Sequence, residues 1–396
     1  MFESVVALPA DPLLGIMVAY NADTNPKKVD LGVGVYRDDS GNTPVFASVK
    51  AAERRYLEQQ TTKAYIGPAG SAEYSRLMPE LILGPQHKVL ADKRVATVQT
   101  PGGCGALRVA AEFIKRCRPE ARVWLSSPTW SNHQPLIGDA GLKLESYPYF
   151  DEQTRGVNFD AMVACLEQVP ASDAVLLHAC CHNPSGADLS QAQWQVLAEL
   201  AKKQGFTVFI DSAYQGFGLG LDEDAYGVRL MAETLPELIV ASSCSKNFGL
   251  YRERTGTLCV VANSAAQAPA VQTHLNKIVR GIYSMPPAHG AAIVETLLGD
   301  GPLLAQWQQE LVGVRGRVLG LRTALADALQ ARLEDDRFRF IERQVGMFSF
   351  LGLNPQQVER MRDEFSIYMA GDSRINVAGL KAENVDYVAD AIVAVL

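Results

Sequence analysis

Lys246 and Asp211 are charged residues that follow apolar runs typical of buried strands. The run Leu238–Ala241 leads through four small residues to Lys246, with Arg254 eight residues later, and "FTVFID" ends at Asp211. A buried charge is costly unless it is paired. Lys246 is therefore either a structural cation with a counterion or an amine that condenses with an aldehyde. Asp211 is either a helix N-cap or an anion held against a protonated ring nitrogen, and spacing alone leaves these alternatives open.

A glycine-rich segment, "PGGCGAL" at 101–107, follows another apolar run and precedes a periodic helix. Glycines let the backbone approach a ligand closely, and free N–H groups at a helix start favour a phosphate. The segment lacks the Gly-Lys-Ser/Thr ending of a P-loop and the full GxGxxG pattern of a dinucleotide site. A phosphate site and a tight turn explain it equally well.

The elements that must position these residues alternate along the middle of the chain. Apolar runs predict strands at 94–100, 122–127, 173–181, 206–211, 237–243 and 255–262, and periodic segments predict helices at 106–117 and 190–205, the latter capped by Gly205. Near-continuous apolar strands separated by amphipathic helices indicate a mostly parallel sheet covered on both faces. Ligands of such sheets bind beyond the carboxyl ends of the strands, where the polar segments of this chain follow.

After about residue 300 the pattern changes to that of a smaller α+β domain. A long helix is predicted at 303–333, with short strands around 339–353 and 374–379. We expect an N-terminal arm at 1–12, a small domain formed by 13–44 and 314–396, and a large domain at 45–313.

Composition restricts the class of protein. The 396 residues include 37 basic and 44 acidic side chains, a net charge of −7, which argues against a nucleic-acid or anionic-membrane surface. No run approaches the roughly 20 apolar residues of a spanning helix, and the N-terminal segment lacks a secretory signal. Seven cysteines, mostly in apolar segments, favour reduced thiols and a cytoplasmic location. His178, Cys180, Cys181 and His182 crowd together without a second ligand cluster, so no metal is predicted.

A series of motifs resembles the aspartate/aromatic aminotransferase branch of the fold-type I pyridoxal-phosphate (PLP) enzymes. In chain order they are "LGVGVYRD", "TKAYIGPAG", "QTPGGCGALRVAA", "CCHNPSG", "IDSAYQGFG", "SSCSKNFGLYRER", "YSMPPAHGA", "GMFSF" and "SRINVAG". They extend over nearly the whole chain. The resemblance implies an α/β fold with a mostly parallel seven-stranded sheet in the large domain. It also implies a ping-pong aminotransferase with PLP as cofactor.

The resemblance assigns roles around that cofactor. Lys246 is expected to condense with the PLP aldehyde and later to move the substrate proton, and Asp211 to pair with the pyridine N–H⁺. Trp130 is expected to stack on the ring, and Asn183 and Tyr214 to hydrogen-bond its phenolate oxygen. The expected phosphate contacts are Gly103, Cys104, Ser243, Ser245, Arg254 and, from a neighbouring subunit, Tyr65.

Two histidines and one cysteine accompany this expected cofactor site. His133 and His178 resemble histidines that lie near the aspartate in the family, although ordinary buried histidines are an alternative for both. Cys104 stands where relatives usually have a threonine or serine, and a thiol is a weaker hydrogen-bond donor than a hydroxyl. The backbone N–H groups are therefore expected to do more of the phosphate binding here.

The resemblance also implies how substrates are bound. Gly34, Trp130 and Asn183 are expected to contact the substrate. Arg374 is expected to bind its α-carboxylate, and Arg280, from the other subunit of a homodimer, the distal carboxylate of a dicarboxylic substrate. Two arginines select aspartate, glutamate and oxo acids such as 2-oxoglutarate and oxaloacetate, although aromatic aminotransferases of this branch keep both. The pocket lining resembles the aspartate type at Val33, Val35, Arg37, Thr43 and Ala64, while Met285 fits neither type. Aspartate is favoured, with tyrosine or phenylalanine as the alternative.

Two other classes of protein remain as alternatives to an aminotransferase. The resemblance also carries one expectation about backbone geometry. A PLP lyase would not need Arg280, and a non-catalytic protein of the same fold would be expected to lack Lys246 or Asp211. Relatives have cis peptide bonds before prolines at the positions of Pro128 and Pro184, so both bonds are expected to be cis here.

Overall fold

The computed structural model describes residues 1–8 and 12–396, without the side chains of residues 12–14. Residues 9–11 of the expected arm at 1–12 therefore lie outside the described residues. The strands are β1 (Val29–Asp30), β2 (Val95–Pro101), β3 (Arg122–Ser127), β4 (Lys143–Pro148), β5 (Phe150–Asp151), β6 (Gly156–Val157), β7 (Ala174–His178), β8 (Thr207–Ser212), β9 (Leu238–Ser243), β10 (Thr255–Val261), β11 (Phe348–Phe350), β12 (Ile367–Tyr368) and β13 (Arg374–Asn376).

Helices account for much of the remaining described chain. They are α1 (Pro12–Ala22), α2 (Ala47–Gln59), α3 (Ala72–Leu83), α4 (Lys88–Ala91), α5 (Gly102–Cys117), α6 (His133–Gly138), α7 (Phe159–Leu166), α8 (Gln191–Gln204), α9 (Tyr226–Thr234), α10 (Ala268–Ile282), α11 (His289–Leu298), α12 (Gly301–Leu333), α13 (Phe340–Arg343), α14 (Pro355–Phe365) and α15 (Val385–Val395).

Two compact units divide the chain. The first unit comprises Met1–Thr43, Pro184–Gly186 and Arg317–Leu396, and the second comprises Pro44–Asn183 and Ala187–Gly316. The glycine-rich segment and Lys246 therefore belong to the second unit, whereas "GMFSF" and "SRINVAG" belong to the first.

A seven-stranded sheet organises the second unit, in the order β2-β10-β9-β8-β7-β3-β4. Strand β10 runs antiparallel to both of its neighbours, and the other neighbouring strands pair in parallel. The mostly parallel seven-stranded sheet is thus confirmed. Parallel neighbours cannot be joined by a tight hairpin, so helical crossovers such as α8, between β7 and β8, are required.

Both faces of this sheet are buried, which explains the near-continuous apolar runs. Phe209 and Ala241 lie in a core with residues of helix α5, including Ile114. The alternate residues Val208 and Val240 point to the opposite face and are equally inaccessible to solvent.

Helix α8 shows how local sequence sets an element's ends. The Ser190 side chain accepts from Gln193 N while the Gln193 side chain accepts from the Ser190 backbone, a capping box. At the other end Gly205 adopts a left-handed conformation with φ 76°, which commonly ends helices and which glycine adopts without strain. The prediction of Gly205 as C-cap is confirmed.

Strand β7 is shorter than the apolar run predicted. It ends at His178 rather than at residue 181. Beyond it, the backbone N–H groups of Cys181 and His182 donate to the Asp188 carboxylate, at 2.6 and 2.8 Å. Because these donors are used by a side chain, they do not extend the ladder, and the chain turns away from the sheet.

The first unit has its own apolar core, formed around α14, α15 and the part of α12 that follows residue 317. Its strands form two small pairs, β1 with β12 in parallel and β11 with β13 in antiparallel. The predicted strands around 339–353 are reduced to Phe348–Phe350, because helix α13 and a loop precede it. The segment predicted as a strand at 374–379 continues beyond Asn376 as a short 3₁₀ helix.

Candidate active site

Asp211, at the carboxyl end of β8, is buried and accepts a hydrogen bond from His133 Nε2 at 2.9 Å. Burial opposes the charged carboxylate, but the hydrogen bond from His133 and the nearby charge of Lys246 outweigh it, so the pKa of Asp211 lies below its ordinary value. Asp211 is thus an anion at neutral pH. Asp211 is not a helix N-cap, because it lies inside β8 and pairs with Ala241 of β9.

A chain of hydrogen bonds continues behind Asp211. Thr129 Oγ1 lies 2.8 Å from His133 Nδ1 and 3.3 Å from His178 Nε2. His178 pairs with Asp211 in the β7–β8 register, which places its ring beside the carboxylate strand. Burial, followed by the charge of His133, lowers the pKa of His178 to about 3, so this ring is neutral at pH 7.

Lys246 lies just beyond β9, in a partly buried position. Its Nζ is 4.7 Å from the centre of the Tyr214 ring. Burial lowers the pKa of Lys246, although Asp211 and Cys104 act in the opposite direction. A lysine whose pKa is lowered in this way has a larger neutral fraction, which is the form that acts as nucleophile or base.

The glycine-rich turn forms a cradle at the start of helix α5, where backbone N–H groups have no partner within the helix. Gly102 has φ +71°, and a Cβ there would collide with Arg254 Nη2. A Cβ on Gly103 would lie 3.1 Å from Ser243 Cβ, and one on Gly256 would collide with the backbone of Gly102. Only glycines allow these strands and the helix start to come this close.

Side chains with hydrogen-bond donors surround this cradle. Arg254 Nη1 lies 3.5 Å from Ser245 Oγ and 2.9 Å from the Tyr251 carbonyl. Asn132 Nδ2 donates to Cys104 Sγ at 3.9 Å. A cationic guanidinium, hydroxyls and the free N–H groups of a helix start are the groups that bind a phosphate dianion.

Trp130 lies against the hydrogen-bond chain behind Asp211. Its ring meets the His133 ring edge-on, with centroids 5.3 Å apart. The second unit therefore brings together Lys246, Asp211, Tyr214, Trp130, Gly103, Cys104, Ser243, Ser245 and Arg254. Asn183 is buried at the end of this unit's loop after β7.

Other predicted site residues are placed elsewhere. Tyr65 and Arg280 are exposed on the second unit, Tyr65 in the loop before α3 and Arg280 in the last turn of α10, where it donates to Ser284. Within one chain they join neither the Asp211 network nor the glycine cradle through any described hydrogen bond. Arg374 and Gly34 belong to the first unit.

In the first unit Arg374 is buried on β13, and its Nη2 donates to the Gly32 carbonyl at 2.9 Å. Its guanidinium carbon lies 4.5 Å from the centre of the Phe348 ring. A Cβ on Gly34 would approach Phe348 Cζ to 2.9 Å. Asn376 donates to the carbonyls of Val33 and Val35, at 2.6 and 2.8 Å, so the segment with Gly34 is held beside Arg374.

Thr129 and Asn132 are site residues that the sequence analysis did not single out. Both lie in "SPTWSNH", the polar segment after β3. The spacing of four between Thr129 and His133 is the signal that could have found the first, because it suits a local side-chain contact. One geometric expectation was wrong: the bond before Pro128 is cis, but the bond before Pro184 is not. Trans is the lower-energy state of an X-Pro bond, so resemblance alone was insufficient there.

Cys180, Cys181 and Asp224 have ligand atoms within 4.8 Å of one another, in the neighbourhood where the sequence raised a metal as an alternative. The Asp224 oxygens accept backbone N–H bonds from Gly216, Gly218 and Leu219 at 2.8–2.9 Å. The Cys180 hydrogen bond to Cys181, together with burial, raises the pKa of the Cys180 thiol. The Asp224 carboxylate therefore holds the loop at 216–219 through its backbone N–H groups.

Comparison with known proteins agrees with the class of protein that this fold and site define. The family model of aminotransferase class I and II matches residues 26–392. The chain is 48% identical to an aromatic-amino-acid aminotransferase of Pseudomonas aeruginosa, over 100% of this chain and 98% of the relative. It is 47% identical to an aspartate aminotransferase of Salmonella typhi, over 100% of both chains.

A solved structure agrees in the same way. The aromatic-amino-acid aminotransferase from Burkholderia pseudomallei, covalently bound to pyridoxal phosphate, superposes with a TM-score of 0.98 at 44% identity, covering 100% of this chain and 99% of that one. The chain belongs to the class I and II aminotransferase family. It is an aminotransferase whose cofactor is PLP.

The second unit fits this cofactor on its own chemistry. A glycine cradle with Arg254 suits the phosphate, a buried carboxylate suits a protonated ring nitrogen, and a lysine with a lowered pKa suits an aldehyde. Among the described residues, no helix is both long enough and apolar enough to cross a membrane.

Proposed function

We propose that this enzyme transfers the amino group between aspartate or glutamate and 2-oxo acids such as 2-oxoglutarate and oxaloacetate, by a ping-pong mechanism. The observation that supports this substrate class is the pair of arginines, Arg374 buried in the first unit and Arg280 exposed on the second. A dicarboxylic substrate needs two such cations. A PLP lyase would not need Arg280, and a non-catalytic protein would not need Lys246 beside Asp211.

Bound PLP supplies an electron sink for the charge left when the substrate Cα loses its proton. Asp211 keeps the ring nitrogen protonated, because its carboxylate remains charged at neutral pH. Trp130 would cover one ring face, and Asn183 and Tyr214 would donate to the phenolate oxygen. The phosphate would be bound by Gly103, Cys104, Ser243, Ser245 and Arg254, joined by Tyr65 of a neighbouring subunit.

Lys246 serves twice in this proposal. Its amine would be the group that condenses with the cofactor aldehyde, with loss of water, and once free again it would accept the proton from the substrate Cα. Both steps need a neutral amine. Burial lowers the pKa of Lys246, which increases the neutral fraction of this amine.

The substrate carboxylates are bound by arginines. Arg374 binds the α-carboxylate that every substrate has, beside Gly34, whose lack of a side chain leaves room next to Phe348. Arg280 binds the distal carboxylate from the other subunit. The guanidinium fork matches a carboxylate in both cases.

Aromatic amino acids are the second candidate substrate class. The relative named for aromatic amino acids is 48% identical and the one named for aspartate 47%, so overall similarity favours neither. Arg280 is exposed, and a side chain in that position can move aside for an uncharged substrate. We propose aspartate as the main substrate and tyrosine or phenylalanine as the alternative.

A homodimer with shared sites follows from the same reasoning. Tyr65 is 90% exposed in the single chain, although a tyrosine with a cofactor role needs to be covered. We infer that a second copy covers it. We place the enzyme in the cytoplasm, where its seven free cysteines would stay reduced.

The decisive experiment compares Arg280→Ala and Arg374→Ala by steady-state kinetics on aspartate and phenylalanine with 2-oxoglutarate. Loss of one partner from a buried arginine–carboxylate pair costs about 2–5 kcal/mol, roughly 30- to several-thousand-fold in kcat/KM. Arg280→Ala should lose this factor on aspartate and little on phenylalanine. Arg374→Ala should damage both substrates alike.

Lys277→Ala is the matched control, because Lys277 is an exposed cation of the same helix α10. It should leave the aspartate/phenylalanine ratio unchanged. Equal losses on both substrates in Arg280→Ala would show that Arg280 is structural and that the distal carboxylate is bound elsewhere.

A further inference from the structure

Arg322 of helix α12 is fully buried inside the first unit, and its guanidinium is surrounded by one short segment. The segment is 341–349, which includes "GMFSF". Nε donates to Gly346 O at 3.1 Å. Nη1 donates to Ile341 O at 2.9 Å and to Ser349 Oγ at 2.8 Å. Nη2 donates to Val345 O at 3.1 Å, to Gly346 O at 2.8 Å and to Phe348 O. All three guanidinium nitrogens therefore hold this segment.

The same segment is fixed against Gly186, the glycine of "CCHNPSG". Val345 N donates to the Gly186 carbonyl at 3.0 Å. Gly186 has φ +71°, and a Cβ there would collide with the Phe348 carbonyl and lie 3.3 Å from Arg322 Nη2. Arg322 thus holds a segment that is bonded to Gly186, at a point where no side chain fits between the two.

Phe348 connects this clamp to the substrate arginine. Its carbonyl is bound by Arg322, and its ring lies 4.5 Å from the guanidinium carbon of Arg374. Its ring edge also limits the space over Gly34. In the β11–β13 ladder Phe348 pairs with Asn376, so the backbone of Phe348 sets the position of both ring and ladder.

We propose that Arg322 is a positioning residue for α-carboxylate binding. It acts by holding Phe348 against Arg374. This inference rests on the proposed function of Arg374 as the α-carboxylate ligand. Lysine cannot replace Arg322, because an ammonium has three donors on one atom and cannot reach acceptors spread around a planar fork. Arg322 itself lies outside the binding site and touches no substrate.

The test measures kcat, KM and maleate binding for Arg322→Lys and Phe348→Leu, with PLP saturating. Maleate is a dicarboxylate without an amino group, so its Kd reports binding without turnover. A small misplacement of a binding group is costly, and we expect about a tenfold rise in KM for aspartate and phenylalanine alike. The Kd of maleate should rise by the same factor, and kcat should change by less than about threefold.

Arg332→Lys is the control, because Arg332 lies on the same helix and pairs with Asp386 and Asp390 at the surface. It should leave KM unchanged. The double variant Arg322→Lys with Phe348→Leu should have the KM of a single variant, since both act through one ring. The inference would be overturned if the rise in KM of the double variant equalled the product of the two single rises. An unchanged KM in folded Arg322→Lys would also overturn it.

A milder variant keeps the inference testable if Arg322→Lys does not fold. Ser349→Ala removes one acceptor of Arg322 and should raise KM in the same direction by a smaller factor. An unchanged KM in both Ser349→Ala and Phe348→Leu would then overturn the inference. Arg374→Ala distinguishes failure of the proposed role of Arg374 from failure of the role of Arg322. If it leaves KM unchanged, the proposed role of Arg374 fails; if it raises KM while the Arg322 and Phe348 variants do not, only the role of Arg322 fails.

Discussion

His133 donates through Nε2 to the Asp211 carboxylate at 2.9 Å, and both side chains are buried. Seventy-eight residues separate them in sequence. The bond keeps a negative charge at the carboxyl end of β8, where the field of a buried site is strong. Behind His133, Thr129 links the pair to a second histidine, His178, which is neutral at pH 7.

The pKa of His178 predicts a pH dependence of stability. It is about 3 in the folded chain, against about 6.5 in an unfolded one. Between these values the unfolded chain binds a proton that the folded chain does not, so stability falls as the pH is lowered through this window. One such group contributes a slope of about 1.4 kcal/mol per pH unit.

We therefore expect His178→Gln to flatten the pH dependence of the free energy of unfolding between pH 6 and 4, by about that slope. Urea titrations at equal protein and PLP concentrations measure it. His274→Gln, at an exposed position, is the control and should follow the wild type. Parallel curves for His178→Gln and wild type would contradict the assignment of His178 as a neutral buried group.

The glycine cradle predicts the effect of one methyl group. Gly102→Ala places a Cβ against Arg254 Nη2 in a left-handed conformation, which costs about 1–2 kcal/mol in strain alone. Displacing the guanidinium removes a charge-assisted hydrogen bond of about 1.5–3 kcal/mol, so the Kd for PLP should rise roughly 10- to 100-fold. Absorbance titration of the apoenzyme with PLP measures this.

Gly320→Ala is the matched control for the cradle. Gly320 lies in helix α12 with no atom within 4 Å of an added Cβ. Alanine is the better helix former there, so stability should rise by about 0.5–1 kcal/mol and the Kd for PLP should not change. A Gly102→Ala enzyme with wild-type PLP affinity would mean that the phosphate is bound elsewhere.

The proposed homodimer with shared sites predicts complementation between two inactive variants. Lys246→Ala alone should lose turnover, because it lacks the amine, and Arg280→Ala should lose dicarboxylate activity. In a hybrid dimer of the two, one site combines Lys246 of one subunit with Arg280 of the other. That dimer should regain about half of the wild-type activity on aspartate, as two-fold symmetry requires.

The hybrid is isolated with two different affinity tags and assayed beside each parent homodimer. Aspartate activity no higher than that of the parents, in hybrids shown to form, would refute a site built from two subunits. Phenylalanine activity provides an internal check, since Arg280 is not expected to be needed for it.

Local sequence determined several elements of this protein and their order. Apolar runs predicted β8 and β9 to within a residue or two, and Gly205 predicted the end of α8, because both depend on periodicity and backbone freedom within a few residues. The polar segments after the strands were identified for the same reason. The motif resemblance then supplied the family and the cofactor, which matching to known proteins confirmed.

Tertiary structure alone decided what these elements bring together. The early end of β7 depends on Asp188, which takes the N–H groups of Cys181 and His182. The clamp of Arg322 on "GMFSF" gives no periodic signal, because a buried arginine among backbone carbonyls looks in sequence like any arginine of a helix. Such contacts join groups far apart in the chain, and their energies depend on distance and burial, which only the folded chain defines.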